Sequence, residues 1–199
     1  MKIALIRHGP TEWNAQKRVQ GSVDTPLSQA GIAKMSALLP PAGFDGATAY
    51  CSPKRRARQT AALLGLADPI LDARLVEQNW GEWEGLTRAE MLARDGADAF
   101  DKAGRGLAFR PPGGESTAEV HARVKNFFAA IAQSGDVVAV SHAGVLRAAY
   151  ALATGWDMLA PYPPDLDLSL ALILALDQHG IPAIAECNAP LRRRENPYS

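Results

Sequence analysis

The sequence has few cysteines, no long apolar run and no excess of charge of either sign. Its two cysteines, Cys51 and Cys187, lie far apart and in no CxxC pattern. This argues against a disulfide framework or a structural zinc site and is typical of a reducing compartment. Lysines plus arginines and aspartates plus glutamates both number 21, so no overall field attracts nucleic acid or a membrane surface. An anionic ligand would therefore have to be held by a local cluster of cations.

Several targeting and cofactor patterns are also missing. The apolar stretch near the start, Ile3 to Ile6, has four residues, whereas a secretory signal needs about seven or more. No run approaches the length of a transmembrane helix, so we expect a cytoplasmic protein. No nucleotide-binding GxxxxGK[ST] or metalloprotease HExxH pattern occurs. The stretch "GESTA" lacks the last glycine of a GxSxG nucleophile turn and follows a predicted loop, so it predicts no serine nucleophile.

What the sequence does contain is an alternation of short apolar strands and helical segments. Strands are predicted over 2–7, 47–51, 136–142, 170–176 and 181–186, and helices from Ser28, through Thr60, over 87–94, from Ser116 and from Ala143. This order predicts an α/β fold, a mostly parallel central sheet with helices on both faces. We expect one domain over 1–190, with a small helical and loop insertion at 86–115 that covers the site.

Two segments carry further predictions about local structure. The helix after Ser28 is predicted to carry Leu38 and Leu39 on its apolar face and to end at the prolines Pro40 and Pro41. Residues 191–199, with a run of three arginines, are predicted to form a flexible basic tail.

Polar residues follow three of the predicted strands directly. Arg7, His8 and Gly9 come after the first strand, the basic run 52–56 after the second, and His142 after the late one. In parallel sheets ligands bind at the carboxyl ends of the strands, so two histidines and two arginines should converge at one edge. Guanidinium groups bind phosphate oxygens in a planar, bidentate way. The convergence therefore predicts a phosphate site.

The same residue types suit phosphoryl transfer. A neutral histidine is a competent nucleophile, and arginines stabilise the charge on the equatorial phosphoryl oxygens. The helix that begins at Ala143 would add backbone N–H groups and the positive end of its dipole. A carboxylic acid is then needed to protonate the leaving alkoxide.

Six stretches, in order, resemble those of the histidine phosphatase superfamily. They are "RHGPTEWN", "QGSVDTPLSQAG", "SPKRRARQTA", "LVEQNWGEWEG", "PPGGES" and "VSHAGVLR". They are similar to the branch that includes cofactor-dependent phosphoglycerate mutases and small phosphomonoester phosphatases. The sequence departs from that pattern at Pro10, where the family more often has Glu or Gln, and at Ala143, where Gly is usual.

The resemblance implies a role for each matching residue. His8 becomes the phosphohistidine, Arg7, Arg56 and His142 form the phosphate pocket, and Glu77 is the general acid, with Glu82 as the alternative. Gly9, Asn14, Gln20, Gly21 and Ala143 are implied as further phosphate or substrate contacts. No metal or organic cofactor is implied.

The resemblance leaves the reaction open between hydrolysis and mutase-type transfer. The stretch between "GEWEG" and "GES" is short, whereas the mutases of the family carry an insertion there, so we favour a metal-independent phosphomonoester phosphatase. A non-catalytic module that binds phosphorylated ligands is the alternative from a different class. The expected partner is a small phosphorylated metabolite, with no nucleic acid and no membrane. The oligomeric state stays open, with a homodimer as one alternative.

Overall fold

A six-stranded sheet forms the centre of the computed structural model, which describes residues 1–159 and 162–194. The strands of the described residues are β1 (Lys2–Arg7), β2 (Leu38–Leu39), β3 (Thr48–Cys51), β4 (Ile70–Leu71), β5 (Val137–Ser141), β6 (Ala171–Leu176), β7 (Pro182–Ala189) and β8 (Arg192–Arg193). The central sheet has the order β4-β3-β5-β1-β6-β7. The first four of these strands are parallel to one another, and β6 and β7 continue the sheet antiparallel. The predicted mostly parallel α/β architecture is confirmed.

The helices are α1 (Glu12–Ala15), α2 (Gln29–Ser36), α3 (Arg55–Leu63), α4 (Arg88–Asp95), α5 (Ala99–Lys102), α6 (Thr117–Ile131) and α7 (Ala143–Thr154). Ser28 and Ser116 cap α2 and α6, each accepting a hydrogen bond from a backbone N–H of the first turn. At the other end of α7, Gly155 ends the helix in the left-handed conformation, with φ of 77°. No helix within 1–159 and 162–194 is long and apolar enough to cross a membrane.

Both faces of the sheet are covered by helices. On β1, Ile3 and Leu5 pack in an apolar cluster with residues of α6 and α7. The alternate residues of the strand, Ala4 and Ile6, point to the other face and pack with Met35 of α2 and with α3. Successive strand residues alternate between faces, so an uninterrupted apolar strand is the expected sequence for a sheet buried on both sides. Polar chemistry is therefore confined to the strand ends.

The structure corrects two predictions about local structure. Helix α2 ends at Ser36, and Leu38 and Leu39 form β2 instead of the last turn of that helix. Their partner is β8, so the start of the predicted basic tail is an ordered strand. The Arg192 guanidinium donates to the Pro40 carbonyl at 3.0 Å and pairs with Asp45 at 2.6 Å, which fixes the arginine run against the fold. The remainder of the predicted tail, 195–199, lies outside the described residues.

The segment 86–115 packs on a small apolar centre of its own. Trp83, Met91 and Ala99 form a buried cluster separate from the two clusters of the sheet, with Phe100 and Phe109 packed against it. A capping box begins α4, in which Thr87 and Glu90 exchange hydrogen bonds.

Candidate active site

Strands β1, β3 and β5 bring polar residues to one edge of the sheet. In the parallel register Arg7 lies opposite Ser141, and Cys51 lies opposite Val140. Backbone hydrogen bonds of 2.9 Å continue the ladder beyond the strands, from His8 N to the Ser141 carbonyl and from Ser52 N to the Val140 carbonyl. The structure thus brings together the residues that follow these strands, as their positions predicted.

His8 is buried and held in one tautomer. Its Nδ1 lies 2.7 Å from the Gly9 carbonyl oxygen. A carbonyl oxygen only accepts, so Nδ1 carries the proton and Nε2 keeps its lone pair. Burial, followed by repulsion from Arg56 and Arg7, lowers the pKa of His8 to about 3. The imidazole is therefore neutral over the physiological pH range, and the lone pair of Nε2 is available.

His142 lies beside His8, in contact with the ring. The ring centroids are 5.1 Å apart, and His142 has no exposed surface. Burial lowers the pKa of His142 well below its ordinary value, and coulombic interactions with His8 and Arg56 add to the shift. Its Nε2 is 2.8 Å from Ser52 Oγ, whereas its buried Nδ1 has no hydrogen-bond partner among the described residues. His142 precedes α7 as its N-terminal cap residue.

Arg56 is the one fully buried arginine of its basic run, while Arg55 and Arg58 are exposed. Its guanidinium donates from Nη2 to the Gly21 carbonyl at 2.9 Å and from Nη1 to the Val23 carbonyl at 2.7 Å. These two bonds fix the plane of the group. Burial lowers the pKa of Arg56, and attraction to carboxylates, first of all that of Glu77, opposes the shift.

The loop after β1 is tied to α3 by Thr60. Its hydroxyl donates to the Arg56 carbonyl at 2.7 Å and accepts from Gly9 N at 2.9 Å. Both backbone polar groups of Gly9 are thus used within the protein. A Cβ at Gly9 would lie 2.5 Å from Met35 Cγ, so only glycine fits this position without displacing Met35. Pro10 is also held in place, because its carbonyl oxygen accepts a hydrogen bond from Ser28 N at 3.0 Å.

The carboxylate of Glu77 is held at the beginning of α7. Its Oε1 accepts from Gly144 N at 2.9 Å and from Gln78 N at 3.0 Å. Glycine is needed at 144, since a Cβ there would lie 2.4 Å from the same oxygen. The alternative carboxylate, Glu82, has a side chain 65% exposed and pairs with Arg94 at 3.3 Å. Geometry therefore favours Glu77 over Glu82 as the carboxylate of the site.

A cavity of about 160 Å³, which we call the phosphate cavity, opens where these residues meet. Its walls are formed by Arg7, His8, Asn14, Arg18, Val19, Gln20, Gly21, Arg56, Glu77, Gln78, Trp80, Ala143, Gly144 and Arg147. Of the predicted contact residues, Asn14, Gln20, Gly21 and Ala143 are in this wall, whereas Gly9 and the predicted pocket residue His142 are not. The Asn14 side-chain oxygen is already used, because it accepts from Thr11 N and Thr11 Oγ1, both at 3.0 Å.

The cluster carries unpaired donors that match an anion. Nε of Arg7 and Nε of Arg56 are buried and have no hydrogen-bond partner among the described residues, as is also true of His142 Nδ1. Buried polar nitrogens of this kind are uncommon and call for an explanation. A tetrahedral oxyanion would supply several acceptors at once. Within 1–159 and 162–194, no group of three or more His, Cys, Asp or Glu side chains is arranged to hold a metal ion.

Comparison with known families agrees with this chemistry. The sequence model of the histidine phosphatase superfamily (branch 1) matches residues 3–188. The chain belongs to the histidine phosphatase superfamily. Its similarity to a 2,3-bisphosphoglycerate-dependent phosphoglycerate mutase of Methylobacterium radiotolerans is 31% identity over 201 residues, covering 94% of this chain and 90% of that protein.

Other relatives of this chain are named as phosphatases. A glucosyl-3-phosphoglycerate phosphatase of Mycobacterium tuberculosis is 33% identical over 168 residues, which cover 74% of this chain and 72% of that protein. Among solved structures, Bacillus stearothermophilus YhfR superposes with a TM-score of 0.80 at 27% identity and covers 96% of this chain and 98% of its own. The superfamily is thus shown, and its members include both phosphatases and mutases.

Sequence reasoning missed several residues that shape the site. Ser52 holds His142, and Gly144 makes room for the Glu77 carboxylate. Arg147 stands in the cavity wall. A signal was present for two of them, because Ser52 directly follows a predicted strand and Arg147 lies one helical turn after Ala143.

The tryptophans near the matching stretches differ in their place. Trp80 lines the phosphate cavity, whereas Trp13 and Trp83 do not.

Proposed function

We propose that this protein hydrolyses phosphomonoesters of a small phosphorylated metabolite through a phosphohistidine at His8, with no metal or organic cofactor. The observation that carries the proposal is the state of His8. It is neutral, its Nε2 lone pair is free, and it stands in one cavity wall with Arg7 and Arg56. A neutral nucleophile between two cations is what an attack on a phosphate ester dianion requires.

In the first step, Nε2 of His8 attacks phosphorus, and the bond from phosphorus to the ester oxygen breaks. Arg7 and Arg56 bind the equatorial oxygens, and the ring of His142 packs against that of His8. The Gly9 carbonyl stabilises the positive charge that develops on the imidazole through the Nδ1 proton. Glu77, as the acid, gives its proton to the leaving alkoxide.

The second step releases phosphate. The Glu77 carboxylate takes a proton from a water molecule while the water oxygen attacks phosphorus, and the P–N bond breaks. The electron pair of that bond returns to Nε2, so His8 regains its starting state and Glu77 is protonated again. The hydrogen bonds from Gly144 N and Gln78 N hold Oε1 of Glu77, which orients the carboxyl group for both transfers.

Mutase-type transfer is a second candidate, and one observation favours it. The alignment with the Methylobacterium mutase covers 90% of that protein and 94% of this chain. The chain therefore has no large deletion relative to that mutase, and its short segment at 86–115 does not by itself separate the two activities. Phosphatase remains the proposal because glucosyl-3-phosphoglycerate phosphatase is similar at comparable identity, and the experiment below separates the two reactions.

The test measures phosphate release from a panel of phosphomonoesters in excess EDTA, with 2- and 3-phosphoglycerate included. Isomer interconversion is followed in the same samples. We expect release by the wild-type protein and none by His8→Ala, whose fold is checked by circular dichroism. Interconversion that outpaces release would make the protein a mutase. Binding of the esters without turnover would make it a non-catalytic module and would overturn the proposal.

The expected partner is the metabolite alone, with no nucleic acid and no membrane. Equal numbers of acidic and basic residues support this expectation. Both cysteines are free, in keeping with the proposed cytoplasmic location. A homodimer remains the alternative to a monomer, and sedimentation of the purified protein separates the two.

A further inference from the structure

A second and larger cavity adjoins the phosphate cavity. It has a volume of about 730 Å³, against about 160 Å³ for the phosphate cavity. The two share Gln78, Trp80, Gly144 and Arg147 in their walls. An ester whose phosphoryl group lies between Arg7 and Arg56 therefore has its alcohol half directed past Trp80 and Gly144 into the larger cavity, which we call the alcohol cavity.

Aromatic side chains form much of the wall of the alcohol cavity. Trp80, Phe100, Phe109, Trp156 and Tyr162 all line it. They pack on one another at ring distances typical of aromatic pairs, 5.4 Å for Trp80 with Phe109 and 6.2 Å for Trp156 with Tyr162. Aromatic rings from two separate parts of the chain, one within 80–109 and the other at Trp156 and Tyr162, thus line the same cavity.

The rim of the same cavity is also apolar. Leu159 and Tyr162, which both line it, are 63% and 43% exposed, so they add apolar surface beside the rings. Charged groups also stand in the wall, and Nε of Arg147 is buried without a hydrogen-bond partner among the described residues. Asp101 and Arg105 lie 3.6 Å apart as an exposed ion pair, and the Arg147 guanidinium stands over the Tyr162 ring at 5.3 Å from its centroid.

We propose that the substrates are phosphomonoesters of large alcohols that carry a flat aromatic body, rather than esters of three-carbon acids or unsubstituted sugars. This inference rests on the proposed function. A polyhydroxylated alcohol gains its binding energy mainly from hydrogen bonds, whereas the five aromatic rings of this wall offer faces for apolar contact. A planar ring of two fused cycles instead gains contact with the aromatic faces on both sides.

The test uses esters that differ only in the body of the alcohol: ethyl phosphate, 2-phenylethyl phosphate and 2-(1-naphthyl)ethyl phosphate. All three leave as primary alkoxides of similar basicity, so differences in kcat/KM report binding in the alcohol cavity. We assume that an aromatic body of roughly 150 Å² is buried and that it gains half of the usual transfer free energy per unit of apolar area. This corresponds to a rise of about twentyfold in kcat/KM from the ethyl ester to the naphthylethyl ester. Equal kcat/KM values along the series, or a higher value for 3-phosphoglycerate than for the naphthylethyl ester, would overturn the inference.

Two variants locate the preference in the cavity. The readout is the ratio of kcat/KM for the naphthylethyl ester to that for ethyl phosphate, because a partly unfolded sample lowers both values equally. We expect Trp156→Leu to lower this ratio about fivefold and Leu159→Ser, at an exposed position, about twofold. Ile181→Ser is the matched control, since Ile181 is 61% exposed and is not in the cavity wall. An unchanged ratio in both cavity variants would show that the preference lies elsewhere.

The outcomes also separate this inference from the proposed function. If neither the series nor the wider panel of phosphomonoesters is hydrolysed in excess EDTA, the phosphatase proposal fails, and the substrate inference fails with it. If members of the panel are hydrolysed but the series is not, only the substrate inference is wrong. If the esters are hydrolysed with kcat/KM values that do not depend on the alcohol body, the phosphatase proposal stands and only the substrate inference is wrong.

Discussion

Replacement of Gly144 by alanine should slow the hydrolysis of alkyl phosphates without weakening the fold. A Cβ at this position would lie 2.4 Å from Glu77 Oε1, whereas ordinary contact begins at 3.4 Å. The carboxylate must therefore retreat by about 1 Å, and a displacement of that size costs a positioned group about a hundredfold in rate at most. Gly144 is the second residue of α7, where alanine favours the helix by up to about 1 kcal/mol. We expect loss of rate with the free energy of unfolding unchanged or raised.

The assay compares ethyl phosphate with 4-nitrophenyl phosphate. Gly144→Ala should lower kcat/KM for ethyl phosphate by about tenfold to a hundredfold. The value for 4-nitrophenyl phosphate should change by less than about threefold, since 4-nitrophenolate leaves without a proton. Glu77→Gln should reproduce this pattern and Glu82→Gln should not, and urea unfolding of each variant reports the fold. Full activity of Gly144→Ala on ethyl phosphate would refute the assignment of Glu77 as a proton donor held by α7.

Two further predictions concern the support of His8. The pKa of His8 in the folded protein, about 3, lies below the ordinary histidine value of 6.5, so between these pH values only the unfolded chain binds the proton. The free energy of unfolding should therefore fall on acidification by up to about 1.4 kcal/mol per pH unit, with a shallower slope in His8→Gln, as measured by urea titrations between pH 7 and 4. Thr60→Val keeps the shape of the side chain but leaves Gly9 N unpaired, which should lower the free energy of unfolding by about 1–3 kcal/mol. If Thr60→Val unfolds at the same urea concentration as the wild type, this hydrogen bond does not contribute to stability.

The histidines of the site were predictable because strand ends are local features of a sequence. An apolar stretch that stops at Arg7 marks the end of a strand, and the rule for parallel sheets then places His8 beside His142. The resemblance implied Arg56, which shares a helical face with Thr60, and Arg56 is completely buried while Arg55 and Arg58 are exposed.

Features that depend on distant pairing could not be predicted in this way. Leu38 and Leu39 continue the apolar spacing of α2, and the strand they form requires Arg192 and Arg193, more than 150 residues later. Nothing local in a run of arginines indicates a strand. The alcohol cavity also depends on distant pairing. Phe109 and Trp156 both line it but are separated along the chain by α6 and α7, which pack against each other. Its composition therefore becomes visible in the structure alone.

The separation of the small Trp83 cluster from the two clusters of the sheet has a consequence for how this protein can change over evolutionary time. His8 and Arg7 lie at the end of β1, whereas Phe100 and Phe109 pack against the separate Trp83 cluster. Substitutions among these phenylalanines change the wall of the larger cavity without disturbing the packing beneath His8. Under the proposed function, new substrates can thus be acquired one side chain at a time while the phosphoryl chemistry is kept.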